Sequence, residues 1–279
     1  MKKIFATVAF VTAIFLANSQ ELYPYSEPAS NMPAKSVSVK NSSVFHRDIH
    51  SDRVVQRHMP ELMFGLNKDW MIHVGTNFSN MHQSTMIWEG GRIYAKYRFL
   101  SNDNVHQHFR MAVFGAATYS RNHLDHNEIN LMMGEQGGVQ AGIIATQLWN
   151  KFALSATGSW NEVLSKDRWD KRYEARYAGR AINYSLSAGF LFLPFEYKDY
   201  NQTNINLYAE LLGSRNIQFP QEKYFVDLAP SVQAIFNSTA KVNVGYRFQL
   251  SSDIYRLTKN SFMVSFEYIF LNALRKKTK

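Results

Sequence analysis

The sequence predicts an all-β protein whose strands close into an antiparallel transmembrane barrel of twelve strands, and three observations support this prediction. The first is that large apolar residues recur at every second position from Lys241 to Leu250 and again from Ser261 to Phe270. Because strand side chains point alternately to two faces, each stretch is a strand with one strongly apolar face. The second is an export signal, and the third is a regular alternation of long and short connections.

The N-terminus has the three parts of a secretory signal peptide. Lys2 and Lys3 precede an apolar run from Ile4 to Leu16, and small residues follow at Ala17 and Ser19. The run is too short to span a bilayer well, so we predict cleavage after Ser19 rather than a retained anchor. The rest of the chain offers no run of about eighteen apolar residues, which leaves strands as the predicted means of crossing a membrane.

Composition narrows the class of protein further. The 279 residues include no cysteine, which excludes disulfides and thiolate chemistry. The formal charge is +9, but the body of the chain is only mildly basic. Nucleic-acid binders concentrate their charge on one face, and no such stripe is present, so we expect no nucleic-acid partner. Four of the cations lie at the C-terminus: Arg275, Lys276, Lys277 and Lys279.

Residues 20–33 are predicted to form an extended N-terminal arm on the periplasmic side. Pro24, Pro28 and Pro33 stand among serine, asparagine and glutamate residues in this segment, a composition typical of a linker. The alternative is a plug inside the barrel, but the segment is short for that role. The sequence therefore favours an ordinary arm.

From Ala34 onward we predict twelve strands, each with apolar residues at alternate positions. The first strand is weak, because only Val37 and Val39 alternate with serines and a lysine. The predicted strands are Ala34–Phe45, Glu61–Asn67, Trp70–Phe78, Gly91–Phe99, Gln107–Tyr119, Gln136–Leu148, Lys151–Trp160, Tyr177–Leu193, Thr203–Gly213, Tyr224–Phe236, Lys241–Leu250 and Ser261–Phe270.

The connections between these strands alternate in length. The long ones are His46–Met59, Asn80–Glu89, Ser120–Glu135, Asn161–Arg176 and a loop through Pro220, whereas most of the intervening ones are tight turns. Transmembrane barrels have short periplasmic turns, longer external loops and an even number of strands. Twelve strands would also place both ends of the barrel domain on the periplasmic side.

Aromatic residues fall into two groups at opposite ends of the predicted strands. Near the short turns are Trp70, Phe99, Phe109, Trp149, Phe152, Phe192, Phe236 and Phe270. Near the long loops are Phe78, Trp88, Tyr119, Trp160, Tyr177, Tyr224 and Tyr255. Two such belts are typical of the membrane interfaces of a barrel, and a soluble sandwich gives no reason to expect them.

With these features the chain resembles the outer-membrane β-barrel proteins of Gram-negative bacteria. The resemblance rests on the signal peptide, the twelve amphipathic strands and a final strand that ends at Phe270. It implies export to the outer membrane, contact with outer-membrane lipid, and insertion by the barrel assembly machinery.

One departure from this family concerns the C-terminus. Such barrels commonly end on an aromatic residue, whereas this chain continues for residues 271–279. We therefore expect Phe270 to serve as the assembly signal and the remainder to form a basic periplasmic tail. The predicted organisation is a signal peptide at 1–19, the N-terminal arm at 20–33 and the barrel at 34–270.

The polar faces of the strands carry charges that are candidates for lining the lumen. One interpretation is a charged constriction that selects small ionic solutes. The other is a narrow lumen filled by salt-bridged side chains that conducts nothing, and twelve strands lie between packed and open barrels. The candidates are Arg92, Lys96, Arg98, Arg110, Glu210, Asp227, Lys241, Arg247 and Glu267.

Histidine and methionine are frequent in the predicted external loops. Imidazole and thioether ligands suit copper, and imidazole also suits zinc or nickel. The spacing matches no closed ligand set, however, so solvated loop side chains are the simpler interpretation and no cofactor is predicted. The candidate metal ligands are His46, His50, His58, His82, His123 and His126.

Enzyme activity is not expected. Ser120 and His123 lie near Asp125, but no nucleophile elbow or oxyanion glycine pattern surrounds them. Gly134 and the pair Gly137–Gly138 lie at a strand start and do not form a phosphate-binding loop.

The predicted function is a passive channel for small polar or ionic solutes. One alternative is a metal-linked envelope protein that uses the histidine- and methionine-bearing loops. The other is a non-conducting structural or adhesive barrel, which a fully packed lumen would indicate.

Overall fold

The computed structural model describes residues 23–49, 52–105, 107–123, 126–165, 177–195, 201–217 and 223–275. The predicted signal peptide therefore lies outside the described residues, as do residues 276–279 of the predicted basic tail. Twelve strands occupy most of what is described. They are β1 (Ser36–Arg47), β2 (Val54–Gly65), β3 (Trp70–Ser79), β4 (Ile87–Asp103), β5 (Gln107–Ser120), β6 (Gly138–Trp149), β7 (Phe152–Val163), β8 (Arg180–Leu193), β9 (Asn204–Asn216), β10 (Tyr224–Phe236), β11 (Ala240–Ser252) and β12 (Asn260–Phe270).

The twelve strands form one closed antiparallel barrel, which confirms the predicted fold class. Each strand pairs with its neighbours in the sequence, and β1 closes the barrel against β12, with Val37 opposite Phe270 and His46 opposite Ser261. Closure pairs the backbone groups of every strand on both sides, as a strand in lipid requires. Within the part of the chain that the structure describes, no helix is long and apolar enough to cross a membrane.

The two faces of the barrel wall have the inverse of the usual polarity of a soluble protein. On β11 and β12 the side chains of Val244 and Phe266 are exposed, whereas Asn243 and Ser265 are buried. The same alternation of exposed apolar and buried polar side chains recurs around the barrel. An apolar exterior around a polar interior is the arrangement that a lipid-facing barrel requires.

Most of the aromatic residues predicted for the two belts lie on the exterior of the barrel, but Tyr177 packs against the buried cluster that includes Ile129 and Leu131. Trp88 shows the amphipathic behaviour expected at an interface, because its ring is exposed while its Nε1 donates a hydrogen bond of 2.7 Å to Thr76 Oγ1. Exposed aromatic side chains at the turn end are Trp70, Phe99, Trp149, Phe152, Phe192, Phe236 and Phe270. Those at the loop end are Trp88, Tyr119, Trp160, Tyr224 and Tyr255.

Two predicted strand starts and the first long connection need correction. β2 begins at Val54 rather than at Glu61, and β4 begins at Ile87 rather than at Gly91. The connection between β1 and β2 is therefore only 48–53. Its flanking residues continue the ladder, with Arg47 opposite Val54. The sequence pattern missed these ends because Gln56 and His58, which face outward on β2, are polar and because Gly90 and Gly91 interrupt the alternation on β4, although backbone pairing continues.

Candidate functional site in the barrel lumen

The side chains predicted to line the lumen all point into the barrel, and several of their charges are paired with near neighbours. Lys241 Nζ donates a hydrogen bond of 3.2 Å to Glu267 Oε1, which also accepts one from Ser38 Oγ. Such local pairing is expected, because an unpaired buried charge is costly. The role of these residues in solute passage stays a prediction. The nine are Arg92, Lys96, Arg98, Arg110, Glu210, Asp227, Lys241, Arg247 and Glu267.

The described part of the N-terminal arm, residues 23–33, lies inside the barrel, which corrects the favoured interpretation of a periplasmic arm. Its backbone binds inward-facing side chains of the wall: Tyr25 N donates to Glu210 Oε1 and Ala29 N donates to Thr146 Oγ1, both at 2.9 Å. Buried backbone groups need hydrogen-bond partners. The polar side chains of the lumen supply such partners, so the arm can be enclosed without leaving these groups unpaired.

Lys96 of β4 is the main charged contact of the N-terminal arm. Its fully buried ammonium donates to Pro28 O at 2.7 Å and to Ser30 O at 2.8 Å, and it lies 3.4 Å from Glu27 Oε2. Burial alone would raise the pKa of Glu27, but Lys96, together with smaller contributions from His73 and Lys40, lowers the pKa of this carboxyl group. One lysine therefore fixes three successive parts of the arm.

Aromatic side chains of the N-terminal arm pack into spaces left by small residues of the wall. Tyr23 contacts Tyr208 edge-to-face, with ring centroids 5.5 Å apart. Tyr25 lies against Gly245, where a Cβ atom would come within 2.8 Å of the tyrosine ring. The arm therefore fits the lumen in shape as well as in hydrogen bonding.

The loop between β5 and β6 also folds into the barrel. In this inward loop, residues 126–135, Ile129 and Leu131 are buried against a cluster that includes Val163, Ala178 and Ala181. Asn127 extends the contact, because its Oδ1 accepts a hydrogen bond of 2.7 Å from Ala178 N. A connection predicted as an external loop thus covers the loop-side half of the lumen.

A cluster of four charges fastens the inward loop to the opposite wall. Arg256, from the connection between β11 and β12, donates to Glu128 Oε2 and to Asp227 Oδ1, each at 2.7 Å. Arg247 donates to Asp227 Oδ2 at 2.6 Å. Two guanidinium groups thus alternate with two carboxylates, so each buried charge has an opposite neighbour.

Glu128 keeps its negative charge far below neutral pH. Burial alone would raise the pKa of this carboxyl group, but Arg256 and then Arg247 outweigh burial and lower the pKa from 4.5 to about 2. Burial also opposes the charge on Arg256, yet Glu128 and Asp227 raise the pKa of its guanidinium. Glu128 and Arg256 are therefore both charged at neutral pH.

The second end of the inward loop is fastened by Arg57 of β2. Its Nη1 donates to Glu135 Oε1 at 2.8 Å, and its Nε donates to Glu89 Oε2 at 3.1 Å. Sequence reasoning missed Arg57, Glu89, Glu128, Glu135 and Arg256. Each lies in or beside a segment that the sequence interpreted as a polar external loop, and only Ile129 and Leu131 signalled burial there.

A cavity of about 200 Å³ lies between the N-terminal arm and the inward loop. The arm forms one boundary through Tyr25 and Glu27, and the loop forms another through Ile129 and Met133. Charged wall residues that line it are Lys40, Glu61, Arg92 and Arg247. The lumen is thus divided into two covered halves with a chamber between them.

The candidate metal ligands are not brought together. His46 and His58 lie on opposite faces of the wall, because the inward positions are even-numbered on β1 and odd-numbered on β2. His126 lies 3.6 Å from Glu135, and His82 and His123 lie in separate connections. His50 lies outside the described residues. Among the residues that the structure describes, no three His, Asp or Glu side chains are grouped to hold a metal ion.

Comparisons with known proteins agree with this fold. Neither a protein-family model nor a curated protein sequence matches the chain. KdgM porin is similar to it, with a TM-score of 0.55 and 8% identity over 84% of this chain and 99% of that chain. An outer membrane channel from Pseudomonas putida F1 is also similar, with a TM-score of 0.60 and 10% identity over 90% of this chain and 100% of that chain. The chain therefore has the fold of outer-membrane β-barrels.

Proposed function

We propose that the protein is an outer-membrane channel that passes small polar or ionic solutes through the lumen of its barrel. The fold, which it shares with a porin and an outer membrane channel, supports this proposal. The apolar exterior with its aromatic belts supports a position in the outer membrane, in contact with its lipid. Export by a cleaved signal peptide and insertion through recognition of Phe270 belong to the same proposal.

The observation that carries the proposal is the chamber between the N-terminal arm and the inward loop. A barrel that serves only as a structural or adhesive element has no need of a cavity of about 200 Å³ inside its wall. Lys40, Glu61 and Arg92 at this cavity provide the polar and charged surface that a hydrated solute requires. Passage then depends on displacement of the two segments that cover the chamber.

Conductance measurements on a matched pair of lysine variants test the proposal. Lys96→Gln removes the ammonium that holds the N-terminal arm at Glu27, Pro28 and Ser30. Lys151→Gln is the control, because this lysine also donates to two carbonyl groups, Pro194 O and Phe195 O, but at a turn. Both proteins would be refolded and inserted into planar bilayers beside the unmodified mature chain.

We expect discrete conductance steps from the unmodified protein and longer or larger openings from Lys96→Gln, because the arm is then held less firmly. Lys151→Gln should conduct like the unmodified protein. Folded protein that gives a silent bilayer in all three forms would contradict the channel proposal and favour a non-conducting barrel.

A further inference from the structure

The cavity between the N-terminal arm and the inward loop contains buried polar atoms without a partner. Tyr94 is only 2% exposed and Tyr25 only 6%, yet neither hydroxyl group has a hydrogen-bond partner within the described parts of the chain. The same holds there for Arg92 Nε and Thr157 Oγ1, and all four residues line the cavity. A buried donor without an acceptor costs free energy. These groups can therefore donate to a ligand with acceptor atoms.

The charges around the cavity favour an anionic ligand. Both acidic groups of the lining have a nitrogen partner: Glu27 lies 3.4 Å from Lys96 Nζ, and Glu61 lies 3.2 Å from His73 Nδ1. Among the residues that the structure describes, Arg92 and Lys40 have no carboxylate within ion-pair distance, although both attract Glu61 electrostatically and Lys40 is opposite Glu61 in the β1–β2 ladder.

The third cation of the lining, Arg247, is already paired with Asp227. The cations without an ion pair are thus Arg92 and Lys40, and an anionic ligand would lie next to them.

Most of the remaining lining is apolar. The guanidinium of Arg92 lies over the ring of Tyr94, 5.0 Å from its centroid, and Tyr94 in turn packs against Phe114. Methionine side chains adapt to ligands of different shape. The apolar lining residues include Met59, Phe114, Ile129, Met132, Met133, Ile144, Leu212, Phe225 and Met263.

We propose that this cavity binds a small carboxylate with an apolar body, with the carboxylate at Arg92 and the hydroxyl group of Tyr94. The planar guanidinium suits a carboxylate, and the aromatic and methionine side chains would hold the body. The volume of about 200 Å³ suits such a molecule, since an apolar cavity of roughly 150 Å³ holds benzene. The identification of this carboxylate as the transported solute rests on the proposed channel function. The existence of the binding site does not depend on that function.

Calorimetric titration of the refolded full mature chain with hexanoate tests the site. Acetate and hexan-1-ol are the comparison ligands, because acetate lacks the apolar body and the alcohol lacks the charge. Arg92→Gln should weaken hexanoate binding about 10- to 100-fold, the loss expected for a charged hydrogen-bonding partner. Arg98→Gln is the matched control, since Arg98 is the other inward arginine of β4 and does not line the cavity. Uptake of ligand by detergent is the same for all variants and is subtracted.

A second, more conservative variant tests the site in case Arg92→Gln fails to fold. Tyr94→Phe keeps the ring and removes only the hydroxyl group, and it should weaken hexanoate binding by roughly 2- to 10-fold. Equal binding of hexan-1-ol and hexanoate, or unchanged binding by both Arg92→Gln and Tyr94→Phe, would overturn the site.

Conductance distinguishes the two proposals. If hexanoate binds as expected but the bilayer stays silent, the site stands and the channel function fails. If conductance steps occur without hexanoate binding, the channel function stands and the site fails.

Discussion

The two segments inside the barrel are held by different interactions. The N-terminal arm is bound largely through its own backbone, with Tyr25 N and Ala29 N as donors and the carbonyl groups of Pro28 and Ser30 as acceptors. The inward loop is held by side-chain charge, with Arg256 between Glu128 and Asp227. The partners of the arm's backbone include the ammonium of Lys96 and the carboxylate of Glu210. The arm should therefore respond to changes of shape and to loss of Lys96, and the inward loop to changes in its own cluster of four charges.

The connectivity of the two segments differs as well. The described N-terminal arm leads directly into β1, whereas the inward loop is joined to β5 at one end and to β6 at the other.

The largest effect on stability should come from removing the central charge of the inward loop. Arg256→Gln leaves Glu128 and Asp227 buried with less compensation, and loss of one member of a buried ion pair costs about 3–5 kcal/mol. The free energy of unfolding would be measured by urea titration in lipid vesicles. Arg47→Gln is the control, because its pair with Asp52 is exposed and should contribute less than about 1 kcal/mol. Equal losses in the two variants would contradict the account of the loop.

Acid should release the inward loop in a defined window. Because the pKa of Glu128 is lowered in the folded protein, its contribution to stability is complete above about pH 4.5 and is lost as the pH falls toward about 2. Conductance recorded over this range should therefore rise as the pH falls. Glu128→Gln should open the loop already at neutral pH and reduce the pH response.

The control for the acid response is Glu162→Gln. Glu162 pairs with Arg180 at 2.7 Å, away from the cluster around Arg256. This variant should keep the full response to acid. An identical pH response in both variants would show that Glu128 does not control the loop.

A smaller effect is expected where the wall makes room for the N-terminal arm. Gly245→Ala would place a Cβ atom 2.8 Å from Tyr25 Cε2 and Oη, which forces the tyrosine to move. Overpacking of this kind costs roughly 1–3 kcal/mol, and the arm should become more sensitive to protease. Gly158→Ala is the control, because a Cβ atom there meets open space. Equal protease resistance of the two variants would contradict the tight fit of Tyr25.

The wall of the barrel was largely predictable from the sequence. The alternation of apolar and polar side chains predicted β10 correctly, because the observed strand, Tyr224–Phe236, has the predicted range. The pattern works because lipid selects apolar residues at every outward position. It fails at the loop-side start of β2, where Gln56 and His58 face outward beyond the apolar band and only backbone pairing defines the strand.

The contents of the lumen were not predictable in the same way. The N-terminal arm has the composition of a linker, and its position depends on contacts such as Tyr25 with Glu210, which are 185 residues apart. The nine inward charges could be identified from strand parity, but their partners Glu27, Glu128 and Arg256 could not. Those partners lie in segments without a periodic pattern, and only the closed barrel brings them next to the wall.

The most direct test of the central claim compares the single-channel conductance of the mature chain with that of a variant lacking residues 20–33. If the N-terminal arm covers the turn-side half of a conducting lumen, the shortened protein should show a larger conductance than the full mature chain. Acid should increase the conductance of the shortened protein further, because the inward loop is still present. A shortened barrel that is correctly folded and conducts no better than the full mature chain would contradict the account.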